Sequence, residues 1–473
     1  MKRIQLGPFN RVEGDLEVML DLDDAGTIQA ARVNSPLFRG FEQIMVGRLP
    51  MDALAIVPRI CGICSVAQSA AAAEALAALA GVEMPPNGRL ARHLVMATEN
   101  LADHLTHFHL FFMPDFARPA YAGQAWHAEL AARFTAQQGS AVGTFLEARA
   151  RFFGIAGFLA GRWPHTLGLQ PGGTTKATTV AERIRLLALI REFRQFLENA
   201  FFGDRLEAFA AIEDFPALMR WAEGRVGDFP RFLRVAAVLG LESVGRAEDR
   251  FLSYGAYGGL PAGIWSNGQL SALDVSQISE DTHSAWLLDG HPRPPAEGET
   301  VVNPDKPAAY TWCKAPRYAG LVAETGALAR QIVAGQPLLR DLLARFGASV
   351  TARIVARMVE VATILPEMEN WARALQPGEA FCLQAELPEQ GSAFGLVEAA
   401  RGSLGHWLSV RRGRIERYQI IAPTTWNFSP RDSQNQPGPL EQALVGLDAS
   451  PAAPPTVQHV VRSFDPCMVC TVC

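Results

Sequence analysis

The sequence predicts an α+β fold, mainly α, with long central helices, small β elements near both ends, and a single domain over residues 1–473. Three observations predict it. Apolar residues recur at three- and four-residue steps through most of the chain, the spacing of a helix with one buried face. Strict alternation is confined to residues 1–35 and to short runs beyond residue 380. Two Cys-x-x-Cys pairs, Cys61/Cys64 and Cys467/Cys470, stand near opposite ends of the chain. Each spacing lets two thiolates reach one metal, so the chain must close on itself if both pairs serve one site.

At the N-terminus, Leu16, Val18 and Leu20 alternate with Glu17 and Asp21. Asp23-Asp24-Ala25-Gly26 is a turn signal, and a second strand is expected over 27–34, which makes a hairpin. After Cys64, an Ala/Leu-rich helix runs from Ser65 to about Leu79 and ends at Gly81. The first cysteine pair therefore sits at a helix N-terminus, whose dipole favours thiolate over thiol. Pro85-Pro86-Asn87 starts a long helix to about Phe112. Its apolar stripe carries Asp103, His104 and His107, and the histidines read as satisfied core groups. Further helices are expected over 141–160, 178–202, 206–223, 229–239, 318–334, 336–346, 348–374 and 439–446. Residues 250–315 read as loops and short strands, and strands are expected at 380–386, 404–411 and 415–421. No linker, repeat or low-complexity tract divides the chain.

Composition narrows the function classes. With 473 residues, 49% of them hydrophobic, the chain can bury a large core. The net charge of −5 and pI near 6.1 give no basic footprint for nucleic acid, and Arg411-Arg412-Gly413-Arg414 reads as a solvated turn. No apolar run reaches the length of a membrane span; Gln68 and Glu74 interrupt the alanine-rich stretch at 65–80. Met1-Lys2-Arg3-Ile4 enters a strand directly, without a signal peptide. Seven cysteines in so long a chain are no disulfide scaffold. Cys313 and Cys382 are expected as core thiols, and the compartment as a reducing cytoplasm.

The residues alone leave three readings of a four-thiolate site. Structural zinc usually takes closely spaced pairs and serves domains that lack a core. Iron–sulfur motifs are usually more local. Soft thiolates with an open position suit nickel and iron redox chemistry.

Further motifs carry a resemblance. Arg59-Ile60-Cys61-Gly62-Ile63-Cys64 and Asp465-Pro466-Cys467-Met468-Val469-Cys470 resemble the two nickel-binding motifs of the [NiFe] hydrogenase large subunit. Arg11-Val12-Glu13-Gly14, Phe38-Arg39-Gly40-Phe41-Glu42, Asp103-His104, Pro164-His165, Pro171-Gly172-Gly173, Tyr310–Arg317, Glu398–Gly402 and Pro423–Asn427 follow that family's order along the whole chain. The resemblance implies that Cys61 and Cys467 are terminal ligands of Ni, while Cys64 and Cys470 bridge Ni to an Fe carrying CO and two CN⁻. H₂ would be split heterolytically, with Cys467 taking the proton and Glu13 passing it on. Arg401 would lie over the open metal position and near one cyanide, oriented by Asp103 and Asp465, and Thr424 would hydrogen-bond the other cyanide. Glu42, the Ile420 carbonyl and residue 473 would hold a second ion, Mg²⁺ in the family.

The departures point within the family. Gln68 and Asp15 stand where most hydrogen-oxidising members carry histidine, and both resemble the H₂-sensing regulatory hydrogenases. Gln68 can hydrogen-bond a bridging thiolate without titrating. Ile63 and Phe111 are bulkier than the gas-channel residues of catalytic members, although Phe111 fits plain core packing equally well. Cys473 replaces a histidine ligand, and a thiol is a poor ligand for Mg²⁺. The chain also ends without the C-terminal extension that maturing members have clipped, as expected of a processed form or, as in the sensors, of a chain that encodes none. The resulting expectation is a cytoplasmic regulatory large subunit of low H₂-oxidising activity. It would pair with an Fe–S small subunit near Pro164-His165, signal to a sensor histidine kinase, and depend on maturation proteins. The alternatives are an uptake or bidirectional hydrogenase, a nickel-free quinone-reductase subunit, and a zinc-stabilised binding protein.

Overall fold

A computed structural model describes residues 2–384, 386–450 and 455–471. Helix makes up 46% and strand 18% of the chain, the predicted mainly α mixture. Strands Lys2–Leu6, Glu17–Leu22 and Ile28–Asn34 form an antiparallel sheet. Its hairpin turn is held by Asp23, whose carboxylate accepts the N–H groups of Ala25 and Thr27 at 2.9 Å. A second antiparallel meander, Gly391–Ala399, Gly402–Arg411 and Arg414–Ile421, lies near the C-terminus. The Arg411–Arg414 cluster is its last turn, as expected, and Arg411, Arg412 and Arg414 are exposed.

The Ser65–Ala80 helix ends on Gly81 in the left-handed conformation and lies against the Gly391–Ala399 strand. The contact explains its alanines. A Cβ on Gly395 would lie 2.1 Å from the Ala71 carbonyl oxygen, so backbone meets backbone where larger side chains would hold them apart. Pro86–Thr106 continues as a π-turn over His107–Phe112 and packs on Val350–Ala374. These two helices form the centre of the core. Two histidines buried here are paired through Nε2: His104 Nε2 lies 3.1 Å from Glu360, and His107 Nε2 donates to the Arg462 carbonyl at 2.6 Å.

The chain ends meet. Glu13 bridges to Cys467 in parallel register; its N–H donates to the Pro466 carbonyl at 3.3 Å and its C=O accepts from Met468 N–H at 2.7 Å.

Several expected elements differ. The 206–223 stretch is two helices, Leu206–Ala210 and Phe215–Ala222, because Asp214 caps a new start by accepting Ala217 N–H at 2.7 Å. The 318–334 stretch becomes helical only at Ala327–Val333. Ala315–Tyr318 is a strand, and positive φ at Ala319, Gly320 and Gly326 breaks the path between them. Among the described residues of 380–386 no strand forms, and Cys382 makes a single bridge to Gly173. Cys382 is exposed, not a core thiol, whereas Cys313 is buried.

Candidate metal centre

Cys61 follows a 3-10 turn over Val57–Arg59, and Cys64 is the residue that caps the Ser65–Ala80 helix. Cys467 caps the short 3-10 turn Met468–Cys470, and Cys470 is its last residue. The four sulfurs meet: Cys61 to Cys467 at 3.4 Å, Cys64 to Cys470 at 3.4 Å, and Cys467 to Cys470 at 3.3 Å. These separations are far beyond a disulfide bond. All four cysteines are buried, with ligand atoms within 4.8 Å of one another. Among the described residues they are the one group of His, Cys, Asp and Glu side chains so arranged. Hydrogen bonding from Cys467 lowers the Cys61 thiol well below its ordinary pKa, whereas the bond to Cys467 raises Cys64. Four converging soft donors in a dry pocket need cations among them, and the set suits nickel and iron.

Arg39 ties the two cysteine loops together: its Nη2 donates to the carbonyls of Ile60 and of Val469, the latter at 2.6 Å. Glu99 holds the first loop from the opposite side. Its carboxyl accepts Val66 N–H at 2.9 Å, Ala67 N–H at 3.0 Å and Trp163 Nε1–H at 2.8 Å. The first-turn N–H groups expected to favour thiolate are therefore partly committed to Glu99. Burial pushes the Glu99 pKa up to about 8. His165 adds a further hold on the first loop, its N–H donating to the Ser65 hydroxyl at 3.2 Å and its Nδ1 lying 2.9 Å from the Pro58 carbonyl.

Arg401 lies beside the sulfurs and is buried. Nη1 donates to Asp103 at 2.6 Å, Nη2 to Asp465 at 3.1 Å, and Nε to the Asp465 carbonyl at 3.0 Å. Burial alone would lower the guanidinium pKa, but Asp103 and Asp465 hold it well above the ordinary value. Burial raises Asp103 to about 7, against the pull of Arg401. Burial also works to raise Asp465, and there Arg401 outweighs it and keeps the carboxyl low. Thr424 accepts Cys467 N–H at 3.2 Å, which leaves its own hydroxyl proton for another acceptor. Glu13 is half-buried, and burial, reinforced by Cys61, raises its pKa.

The remaining residues are less uniform. Gln68 is wholly buried, which excludes a neutral swap on the helix surface. Its Oε1 meets His406 Nε2 at 2.8 Å. Ile63 is half-buried against the core. Phe111 is half-exposed, its carbonyl taken by Arg11 at 3.2 Å, and Asp15 is exposed. Glu42 is buried but fully engaged: Lys314 Nζ and Ile420 N–H each reach Oε1 at 2.8 Å, and the Thr300 hydroxyl donates to Oε2. The N–H of Ile420, not its carbonyl, meets Glu42, and Lys314 supplies the positive charge. Cys473 lies outside the described residues. The described donors at Glu42, an ammonium, a backbone N–H and a hydroxyl, do not fit Mg²⁺.

Glu99, Arg39 and His406 were not singled out by the sequence reading. Glu99 had a signal: it lies one helical turn before Asp103 on the same stripe. Arg39 stands within the Phe38–Glu42 motif, whereas His406 had no signal, because its partner Gln68 is distant in sequence.

A family model described as nickel-dependent hydrogenase matches residues 39–153 and 141–473. The periplasmic [NiFeSe] hydrogenase large subunit of Desulfomicrobium baculatum is 29% identical, over 99% of this chain and 94% of its own. The Hydrogenase-2 large chain of Escherichia coli is 25% identical, and the uptake hydrogenase large subunit of Rhodobacter capsulatus 27%. These alignments cover 100% and 99% of this chain, and 97% and 95% of theirs. The reduced Ni-Fe-Se hydrogenase of D. vulgaris Hildenborough superposes with a TM-score of 0.85 at 29% identity, covering 100% of this chain and 99% of that one.

Proposed function

The chain belongs to the nickel-dependent hydrogenase family, and from that premise we propose that it is the large subunit of a regulatory, H₂-sensing [NiFe] hydrogenase of low turnover. The observation that carries the sensor reading is Gln68, buried one helical turn after Cys64 and bonded to His406. A titratable side chain at that place would carry protons beside the centre, whereas an amide does not titrate.

The proposed roles follow the geometry. Cys61 and Cys467 would bind nickel, and Cys64 and Cys470 would bridge it to iron bearing CO and CN⁻. When bound, this metal pair supplies the open coordination position at which H₂ is polarised and split. Arg401 would keep a fixed positive charge beside the metal pair, aimed by Asp103 and Asp465. Thr424 keeps a hydroxyl donor beside Cys467. The Cys467 sulfur receives a proton, and Glu13, tied to it by backbone pairing, carries that proton onward. Ile63 and Phe111 are proposed to narrow gas access. Residues 1–473 are proposed to act as one domain.

An Fe–S small subunit is proposed to dock beside Pro164-His165 and the first cysteine loop, which it would link electrically to an acceptor. A sensor histidine kinase and maturation proteins complete the proposed set of partners. A cytoplasmic location is supported by the described cysteines, none of which lies in a disulfide. Among the described residues no helix is long and apolar enough to cross a membrane.

A second reading, an uptake or respiratory enzyme, is favoured by the names of the relatives. Purified complex separates the two. The sensor reading expects CO and CN⁻ infrared bands with slow H₂ oxidation, and Gln68→His raising turnover while impairing signalling. Parent turnover at the level of uptake enzymes would select the second reading. Absence of the infrared bands would remove both.

A further inference from the structure

Gln68 and Cys64 share one helix face, since Gln68 N–H donates to the Cys64 carbonyl at 3.2 Å and residues four apart stack along a helix. His406, wholly buried in strand Gly402–Arg411, stands behind Gln68. Its Nε2 lies 2.8 Å from Gln68 Oε1, and its Nδ1 lies 2.8 Å from the Tyr418 hydroxyl. Burial pushes the His406 pKa down to about 3, so the imidazole is neutral and carries one N–H.

These contacts determine the direction of donation. An amide oxygen only accepts, so the His406 proton sits on Nε2. Nδ1 then presents a lone pair and receives the Tyr418 hydroxyl proton. Donation runs from Tyr418 to His406 to Gln68. At its end, Gln68 Nε2 is a buried donor with no hydrogen-bond partner among the described residues. Buried polar groups are nearly always met, so a donor left open beside a metal site points to a group that arrives with the metal. The opposite polarity would turn a carbonyl oxygen towards anionic sulfur.

We propose that His406 and Tyr418 are positioning residues that lock the Gln68 amide with its N–H₂ turned to the centre, as a hydrogen-bond donor to a metal-bound thiolate or diatomic ligand. This rests on the nickel–iron reading of the four cysteines and not on the sensor reading.

The test is infrared spectroscopy of the intrinsic CO and CN⁻ stretches in the purified complex, with nickel content measured in parallel. Gln68→Leu and His406→Phe are expected to shift the CO band in the same direction. The Gln68→Leu/His406→Phe double variant is expected to shift it no further than Gln68→Leu alone, because His406 acts through the amide. Tyr418→Phe, which removes only the hydroxyl, is expected to shift the band less and the same way at unchanged nickel content. It decides the case if His406→Phe fails to load nickel. Unmoved bands in His406→Phe and Tyr418→Phe at normal nickel content, or additive shifts in the double variant, overturn the proposal. Bands missing from the parent would instead overturn the nickel–iron reading beneath it.

Discussion

Cys61 and Cys467 stand 406 residues apart in the chain and 3.4 Å apart at their sulfurs. The contact is made by loops that other residues hold together: Arg39 joins the Ile60 and Val469 carbonyls, and the Glu13 backbone pairs with Pro466 and Met468 on either side of Cys467. These contacts of the fold itself bring the two cysteine loops together. Cys61→Ser replaces a soft ligand with a hard, poorly ionised one. The expected outcome is a complex that keeps its circular dichroism spectrum and loses its nickel, read by elemental analysis. Nickel retained at the parent level would show that Cys61 is not a ligand.

Glu13 faces the sulfurs from the N-terminal segment while its backbone holds Met468 at 2.7 Å. Glu13→Gln preserves that backbone pairing and the side-chain shape but cannot carry a proton. Removing a positioned proton carrier is expected to lower H₂ oxidation about 100-fold or more. Nickel content and the CO and CN⁻ bands should stay at the parent values. Turnover unchanged at full nickel loading would move the proton route elsewhere.

Much of this was legible in the sequence where the signal is local. Cys-x-x-Cys spacing, the apolar stripe from Leu90 to Phe108 and the Asp23–Gly26 turn each depend on neighbours in the chain. Strand Gly391–Ala399 was missed because it is read through its contact with Ala71 and Ala75, which sequence spacing does not reveal. Helix Thr456–Ser463 was missed for its shortness, and the 318–334 stretch was overextended across two glycines. At the site, the four cysteines, Arg401 and Asp103 follow from motifs. The partners of Gln68 and of Glu42 do not, because His406, Tyr418 and Lys314 reach them from other strands and loops.

Glu99 accepts the Val66 and Ala67 N–H groups at the start of the helix that carries Cys64 at its cap, together with the Trp163 indole N–H. Glu99→Gln replaces one acceptor oxygen with an N–H₂ group that opposes one of those donors. An unmet buried donor costs about 1–3 kcal/mol. The variant is expected to unfold at lower denaturant concentration and to release nickel to a chelator faster than the parent. Parent-like nickel release would confine Glu99 to helix stability.

Glu360 predicts the acid limb of the stability curve. Its carboxylate is wholly buried and bonded to Arg330 at 2.8 Å through both oxygens, with His104 at 3.1 Å. Burial works to raise its pKa, and Arg330 outweighs burial and brings it from the ordinary 4.5 down to about 2. A carboxyl depressed in the folded state contributes stability that is fully present above the unfolded pKa. That contribution is lost as pH falls through the folded value, so the loss belongs between about pH 4.5 and pH 2. The depression corresponds to about 3 kcal/mol. Glu360→Gln should lower stability at neutral pH by leaving Arg330 short of its counter-charge, and should flatten the decline below pH 4.5. Denaturant midpoints of parent and variant across that range give the measurement. Their difference isolates Glu360, because Glu99 and Glu441, raised by burial to about 8 and about 7, titrate in both proteins. Parallel curves would show that Arg330 does not depress Glu360 in the folded chain.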